Sequence, residues 1–195
     1  MSNDEKIIDG SRIINSSNRY NAFKKQQKDM DLNQLDYDAF GKALLYCAAD
    51  YDKHCAWIDF RFTNLAGTYF APSLTAVEQY DALIELFWLK RKLTIMHNTL
   101  TDWLETMDDK SKQLYNFYFV KRKKLLCKDL YGWTYGVHVS RIARSFRHYL
   151  KEHAHLFTET LLEIPFVYGA YQQVCETKKH RDKKEHGNDH STNER

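Results

Sequence analysis

The segment LYGWTYGVHVSRIARSFRHYLKE, residues 130–152, decides the fold of the basic part of this chain. Gly132 and Thr134 predict a tight turn, in which the glycine ends one helix and the threonine caps the next. Apolar residues then recur at i, i+3, i+4, i+7 and i+11, namely Val139, Ile142, Ala143, Phe146 and Leu150. This spacing is typical of a core-facing helical stripe. Arg141, Arg144, His148 and Lys151 fall on the opposite side, so the helix is predicted to have a core face and a basic face.

The charge of the chain is concentrated around this helix. Residues 121–155 carry nine basic residues and two acids, whereas the whole chain has a net charge of only +3. The segment is therefore +7 and the remainder is −4. A basic segment on a mildly acidic body is the electrostatic footprint of a nucleic-acid binder. The alternative at this point is a solvated basic face without a ligand.

A long helix is predicted upstream of the basic segment. Thr75 and Glu78 match a capping box, and no Gly or Pro follows before Gly132. A seam with heptad spacing runs through Ala82, Leu86, Leu89, Leu93, Met96, Leu100, Trp103 and Met107. A helix from about 76 to 106 would be roughly 45 Å long and needs a partner along its length. The partner is either other helices of this chain or the same helix of a second subunit. In the second case the oligomerisation residues are Leu86, Leu89, Leu93, Met96, Leu100 and Trp103.

Between this helix and the basic helix the pattern predicts two short helices. Asp108 and Asp109 form a break and a cap, after which Leu114, Phe117 and Tyr118 mark a buried side. Three helices with a short last turn describe a helix-turn-helix, whose third helix enters the major groove of DNA. The candidate DNA-binding residues are Lys123, Lys124, Lys128, Tyr135, His138, Ser140, Arg141, Arg144, Arg147, His148 and Lys151.

Residues 75–152 resemble region 4 of sigma factors, and more closely the phage late-gene regulators of the ArpU and RinA type. The matching positions are Leu104, the Asp108-Asp109 turn, the aromatic run 115–119, Gly132, Thr134, Arg141 and Leu150. Gly136 departs from that pattern, because a good helix former is usual there. The resemblance implies a sequence-specific, phage or prophage transcriptional regulator that reads duplex DNA with helix 135–151. The N-terminal residues lack the apolar core of a signal peptide, so we expect a cytoplasmic protein. The heptad seam leaves a homodimer open, and RNA polymerase or another host protein is a further candidate partner.

The expected fold class is all-α, with a long heptad-bearing helix followed by a sigma-region-4-like helix-turn-helix. Residues 1–35 are expected to form a flexible arm and residues 36–74 a small helical region of unknown role. Residues 75–155 form the DNA-binding domain in this interpretation. Residues 156–177 are expected to form a C-terminal helical segment broken at Pro165, and residues 178–195 a disordered charged tail.

Other classes of function have little support in the sequence. No catalytic signature and no phosphate-binding glycine loop is present, so we expect neither an enzyme nor a cofactor. Asp50, Asp52 and His54, or the histidines near 148–155 and in the tail, have weak metal-ligand spacing, and we expect no metal. No apolar run reaches membrane-spanning length. The alternative function is a small helical phage protein that inhibits or redirects a host machine through protein–protein contacts.

Overall fold

The computed structural model describes residues 35–67, 75–154 and 158–187, with the backbone alone for 158–160 and 181–187. These residues are mainly α-helical and contain no strand, which confirms the all-α prediction. The helices are α1 (Tyr37–Ala49), α2 (Tyr51–Ala66), α3 (Ala76–Glu105), α4 (Asp109–Tyr115), α5 (Lys124–Tyr131), α6 (Tyr135–His153) and α7 (Pro165–Gly187). A π-helical turn covers Asn116–Val120, and 3-10 turns cover Gly132–Thr134 and Thr158–Glu163. Residues 1–34, predicted to be an arm, lie outside the described residues.

Helix α3 has the predicted length because its first turn is capped as expected. The Thr75 hydroxyl accepts from the backbone N–H of Glu78 at 3.3 Å, and the Glu78 carboxylate accepts from the N–H of Thr75 at 2.8 Å. The helix ends at Glu105, and Asp108 then caps α4 by accepting from the N–H of Ser111 at 2.9 Å. These local hydrogen bonds satisfy N–H groups that have no partner inside their own helix.

The heptad seam of α3 is covered by other helices of the same chain. Its predicted oligomerisation residues are all buried: Leu86, Leu89, Leu93, Met96, Leu100 and Trp103. Helix α2 runs beside the seam, where Tyr51 stacks on His97 with ring centroids 4.1 Å apart. At the other end, Trp103 packs on Phe146 of α6 at 5.1 Å. The assignment of these six residues to a subunit interface is therefore wrong, because α1, α2 and α6 of the same chain cover them.

Helix α1 lies at the centre of the fold, between α6 and α7. Its buried side chains include Phe40, Leu44 and Leu45, each 0% exposed. At Gly41 the backbone of α1 approaches α6 so closely that an added Cβ would lie 2.7 Å from the carbonyl oxygen of Ala143. Only a glycine permits this crossing, since any larger residue would push the two helices apart.

The π-helical turn shifts the buried side of the second helix. The N–H of Lys121 donates to the carbonyl of Asn116 at 2.8 Å, which is an i→i+5 bond. The extra residue in this turn advances the register, so that Tyr115 and Phe119 are buried beside Leu114. Phe117 and Tyr118, which the α-helical spacing predicted to be buried, are only partly covered.

The last helix begins at Pro165, where a break was predicted, and extends beyond the predicted boundary at 177. Residues 178–187 are helical, so the prediction that the tail is disordered from 178 is wrong for them. The ammonium of Lys178 donates to Asp36 Oδ2 at 2.8 Å, which joins α7 to the start of α1. Residues 188–195 lie outside the described part of the chain.

We predict that Gly41→Ala destabilises the protein by about 1–3 kcal/mol, because its new methyl group meets a backbone carbonyl that cannot rotate away. The matched control is Gly136→Ala in α6, where an added Cβ meets nothing within 4 Å. Removing that helical glycine should stabilise the fold by roughly 0.5–1 kcal/mol. Urea unfolding of both variants measures the two changes. Equal effects of the same sign would contradict the close crossing of α1 and α6.

Candidate nucleic-acid interface

Helices α5 and α6 are joined by the short turn that a helix-turn-helix requires. Gly132 ends α5 with a φ of 59°, a conformation that favours glycine, and its N–H donates to the carbonyl of Lys128. Residues 132–134 then lead directly into α6, a three-residue connection typical of this motif. Thr134 occupies the predicted capping position, but its hydroxyl donates to the carbonyl of Tyr131 at 2.8 Å instead of capping α6.

Two of the candidate DNA-binding residues pack within the motif instead. The His138 ring stacks on Tyr131 of α5 with centroids 4.0 Å apart. Tyr135 lies 6.3 Å from the ring of Tyr118 in the π-helical turn. Both side chains are partly buried, and these contacts brace α6 against the helices before it. The assignment of Tyr135 and His138 as free base-reading residues is therefore not supported by their positions.

One side of the basic helix faces α1 and is already engaged by it. Arg144 Nε lies 3.5 Å from Asp38 Oδ1, and the Arg147 guanidinium lies 4.6 Å from the centroid of the Tyr37 ring. Ser140 lines a groove on the same side. The sequence pattern placed Arg144 on the side opposite the core stripe and counted Arg147 among the DNA-binding candidates, because it did not place α1 beside α6.

The remaining candidates form what we term the outer basic face: Lys123, Lys124, Lys128, Arg141, His148 and Lys151. All are exposed except Lys128, which is partly buried. None of its Lys or Arg residues forms an ion pair with a carboxylate in the described part of the chain. The Lys128 ammonium lies 4.2 Å from the centroid of the Trp133 ring. Solvent therefore hydrates most of these charges, and a polyanion can approach them without displacing a protein partner.

Exposed apolar side chains lie beside the outer basic face. Trp133 is 86% exposed in the turn, Leu125 is 74% exposed on α5, and Val137 is 59% exposed on the first turn of α6. Sequence reasoning did not assign these residues to the site. The signal was present in Val137, which does not belong to the core stripe of α6. Exposed apolar groups at this position suit contact with the methyl group of thymine or with a protein surface.

A groove of about 980 Å³ separates α1, α6 and α7. Its aspartates are each paired with a cation from another element: Asp36 with Lys178 at 2.8 Å, Asp38 with Arg144, and Asp50 with Arg122 at 2.9 Å. Burial acts to raise the pKa of Asp36, but the hydrogen bonds from Lys178 and two backbone N–H groups outweigh it and lower the pKa. The aspartates of the groove are thus neutralised within the chain, while Lys124 of the outer basic face also lines the groove.

Arg122 connects the groove to the helix-turn-helix. It has a φ of 57°, which is unfavourable for a residue with a Cβ and costs on the order of 1–3 kcal/mol. Its guanidinium lies 4.1 Å from the centroid of the Tyr46 ring and donates to Asp50 Oδ2 at 2.9 Å. These two contacts with α1 hold the strained residue in place directly before Lys123 and Lys124.

The candidate metal and thiol sites have no supporting geometry in the described residues. No group of three or more potential ligands lies close enough to hold a metal ion there. His54 is stacked on Phe166 with centroids 4.2 Å apart, and burial lowers its pKa from 6.5 to about 4. Cys47 and Cys127 are buried, and burial raises the pKa of the Cys47 thiol, which keeps it protonated.

Among the described helices, none has the length and apolar character needed to cross a membrane. Comparison of the chain with protein-family models, with curated proteins and with solved structures found no match.

We predict that acidification from pH 6.5 to 4 destabilises the protein in part through His54. Its folded pKa of about 4 lies below the unfolded value of 6.5, so the unfolded state binds the extra proton in this window. The stability is complete above pH 6.5 and is lost progressively as the pH falls towards 4. His54→Phe keeps a ring against Phe166 and removes this titration. Urea unfolding at several pH values should give a shallower dependence for the variant, and an unchanged dependence would refute the assignment.

Proposed function

We propose that this chain binds double-stranded DNA through α5 and α6, as a sequence-specific transcriptional regulator of the phage late-gene type. The observation that carries the proposal is the outer basic face, whose Lys and Arg side chains form no ion pair among the described residues and, except for the partly buried Lys128, are exposed. They surround a helix-turn-helix turn whose helix α6 is buried on its opposite side. Such an arrangement supports binding to phosphates because no internal ion pair has to be broken.

The residues of the outer basic face divide by their positions in the motif. Lys123 and Lys124 lie at the start of α5, where their ammonium groups suit contacts to the phosphate backbone. Arg141 lies one turn beyond Val137 on α6. An arginine there is suited to bidentate contact with guanine and the valine to contact with a thymine methyl group. In this proposal the lysines orient the protein and α6 reads the sequence.

Arg144 contributes less than the sequence pattern predicted. Its side chain is 55% exposed, but its guanidinium lies beside the Asp38 carboxylate of α1. A phosphate has to compete with that carboxylate for the same donor. Exposed ion pairs are worth only about 0–1 kcal/mol, so Arg144 remains able to exchange partners at small cost.

The alternative function, inhibition or redirection of a host machine through protein contacts, is favoured by the apolar side chains around the turn. Trp133, Leu125 and Val137 expose apolar side chains around the turn, and exposed apolar surface of this kind is typical of protein–protein interaction sites. Salt dependence distinguishes the two functions. Binding to a duplex releases counterions and weakens steeply with salt, whereas an apolar protein contact does not.

We predict that the protein binds duplex fragments of its native genome at about 50 mM salt, with affinity falling steeply as salt rises. Lys124→Ala should weaken binding to all sequences and reduce the slope of log K against log salt by about 1. Arg141→Ala should weaken binding roughly tenfold or more and relax the sequence preference. Fluorescence anisotropy measures both.

The matched control is Lys53→Ala on α2, because 79% of the Lys53 side chain is exposed and its ammonium, paired with Asp50 at 2.7 Å, lies outside the outer basic face. Its binding should equal that of the wild type. All three variants should melt as the wild type does, since surface substitutions usually change stability by less than about 0.5 kcal/mol. Absence of wild-type binding to any duplex at low salt would rule out the proposal of DNA binding.

A further inference from the structure

The first four turns of α3 carry a second apolar stripe, on the side opposite to the buried seam. It consists of Val77, Tyr80, Ile84 and Phe87, with Trp88 at its margin, and we term it the α3 outer stripe. The exposed fractions of these five side chains are 70%, 65%, 38%, 57% and 49%. In the same turns the seam residues Leu86 and Leu89 are 5% and 6% exposed. Helix α3 is therefore apolar on two opposite sides, and the described residues cover only one of them.

The spacing of the α3 outer stripe is that of a pairing helix. Its members follow one another at intervals of three, four and three residues, and Arg91 occupies the next position, four residues on. Alternation of three and four is the a/d pattern by which one helix packs along another. Such a regular apolar stripe is typical of a helix face that is buried against another element, not of a solvated face.

We propose that the α3 outer stripe binds the same stripe of a second copy of this chain, with the two helices antiparallel and a two-fold axis near Ile84. Counted outward from Ile84, stripe positions occur at four and seven residues on one side and at three and seven on the other. The stripe is therefore nearly the same when it is read in reverse. An isologous contact requires this self-complementarity. Tyr80 of each copy then meets Phe87 and Trp88 of the other, and Val77 meets the aliphatic stem of Arg91.

Charge selects a second copy in the antiparallel direction. Residues 76–85 carry three acids and no base, namely Glu78, Asp81 and Glu85. Residues 86–92 carry three bases and no acid, namely Lys90, Arg91 and Lys92. An antiparallel pair places the acidic half of each helix along the basic half of the other, whereas a parallel pair would align like charges.

Arg91 is the cation best placed to cross this contact. Lys90 and Lys92 lie within salt-bridge distance of Asp59 and Glu163 of their own chain, at 2.5 and 3.4 Å. The Arg91 guanidinium instead lies over the Trp88 ring, 5.1 Å from its centroid, at the edge of the α3 outer stripe. From there it can bind an acid in the first turns of the second copy.

The size of the stripe agrees with a reversible dimer. Five large side chains at these exposures present on the order of 600 Å² of surface per copy. Two copies together would bury about 1,000 Å², which is near the lower limit for a specific interface. We therefore expect a dimer with a dissociation constant in the micromolar range. Ile84 lies roughly 28 Å along α3 from Trp103, where α3 meets α6, so the inference neither uses nor depends on the proposed DNA contact.

Sedimentation equilibrium of the full chain tests the proposal. The wild type should reach the dimer mass by about 100 µM, and Ile84→Asp should raise the dissociation constant at least tenfold, because two like charges meet at the two-fold axis. The matched control is Leu125→Asp, an exposed leucine on α5 that should leave the dissociation constant unchanged. Thermal melting of both variants checks that they are folded. A monomeric wild type at this concentration, or an Ile84→Asp variant that dimerises normally, would overturn the proposal.

Cysteine cross-linking tests the direction of the two helices. A mixture of Val77→Cys and Arg91→Cys chains should form a mixed disulfide under mild oxidation, well above the background of either variant alone and of the wild-type thiols. Cross-linking of Val77→Cys with itself instead would show a parallel pair and overturn the antiparallel arrangement. A wild-type monomer would leave residues 1–34 or a different protein to cover the stripe. Because mass and cross-linking do not involve DNA, this result is separate from success or failure of duplex binding.

Discussion

The close crossing of α1 and α6 at Gly41 and Ala143 is the contact on which the rest of the structure depends. The missing side chain at Gly41 lets the two backbones approach within a distance that no Cβ would tolerate. This approach brings Phe40 and Leu44 into the core beside the apolar stripe of α6, while α7 closes on another side of α1. Because α1 covers one side of α6, it also determines which side of α6 faces solvent. The helix-turn-helix is thus mounted on a helix that lies nearly a hundred residues earlier in the chain.

The same packing divides the basic segment into two groups. Arg122 and Arg144 face acidic side chains of the α1 region, and Lys178 of α7 does the same. Each of these pairs is partly solvated, so it contributes about 1 kcal/mol or less. Their main effect is to determine which cations pair with carboxylates of the same chain. The lysines around α5 and the arginine on the outer side of α6 keep their charge available, and this division supports the proposal of DNA binding.

Because the α3 seam is buried within one chain, it cannot form a contact with a second chain. Helices α1, α2 and α6 cover the seam, whereas the opposite side of the first turns of α3 stays apolar and exposed among the described residues. Phe87 and Trp88 on this side of α3 remain exposed, and their exposure supports the proposal that a second copy binds there.

The sequence by itself determined the local features of this protein. Caps at Thr75 and Asp108, the glycine at 132 and the stripe from Val139 to Leu150 could be read because each depends on residues within a few turns of one another. Tertiary structure alone decided which helix covers the α3 seam and which arginines remain free, because those outcomes depend on contacts such as that of Asp38 with Arg144, more than a hundred residues apart. The π-helical turn lies between the two cases. Its hydrogen bonds are local, but the α-helical spacing of apolar residues does not predict the extra residue in the turn. That residue places Phe119 in the core.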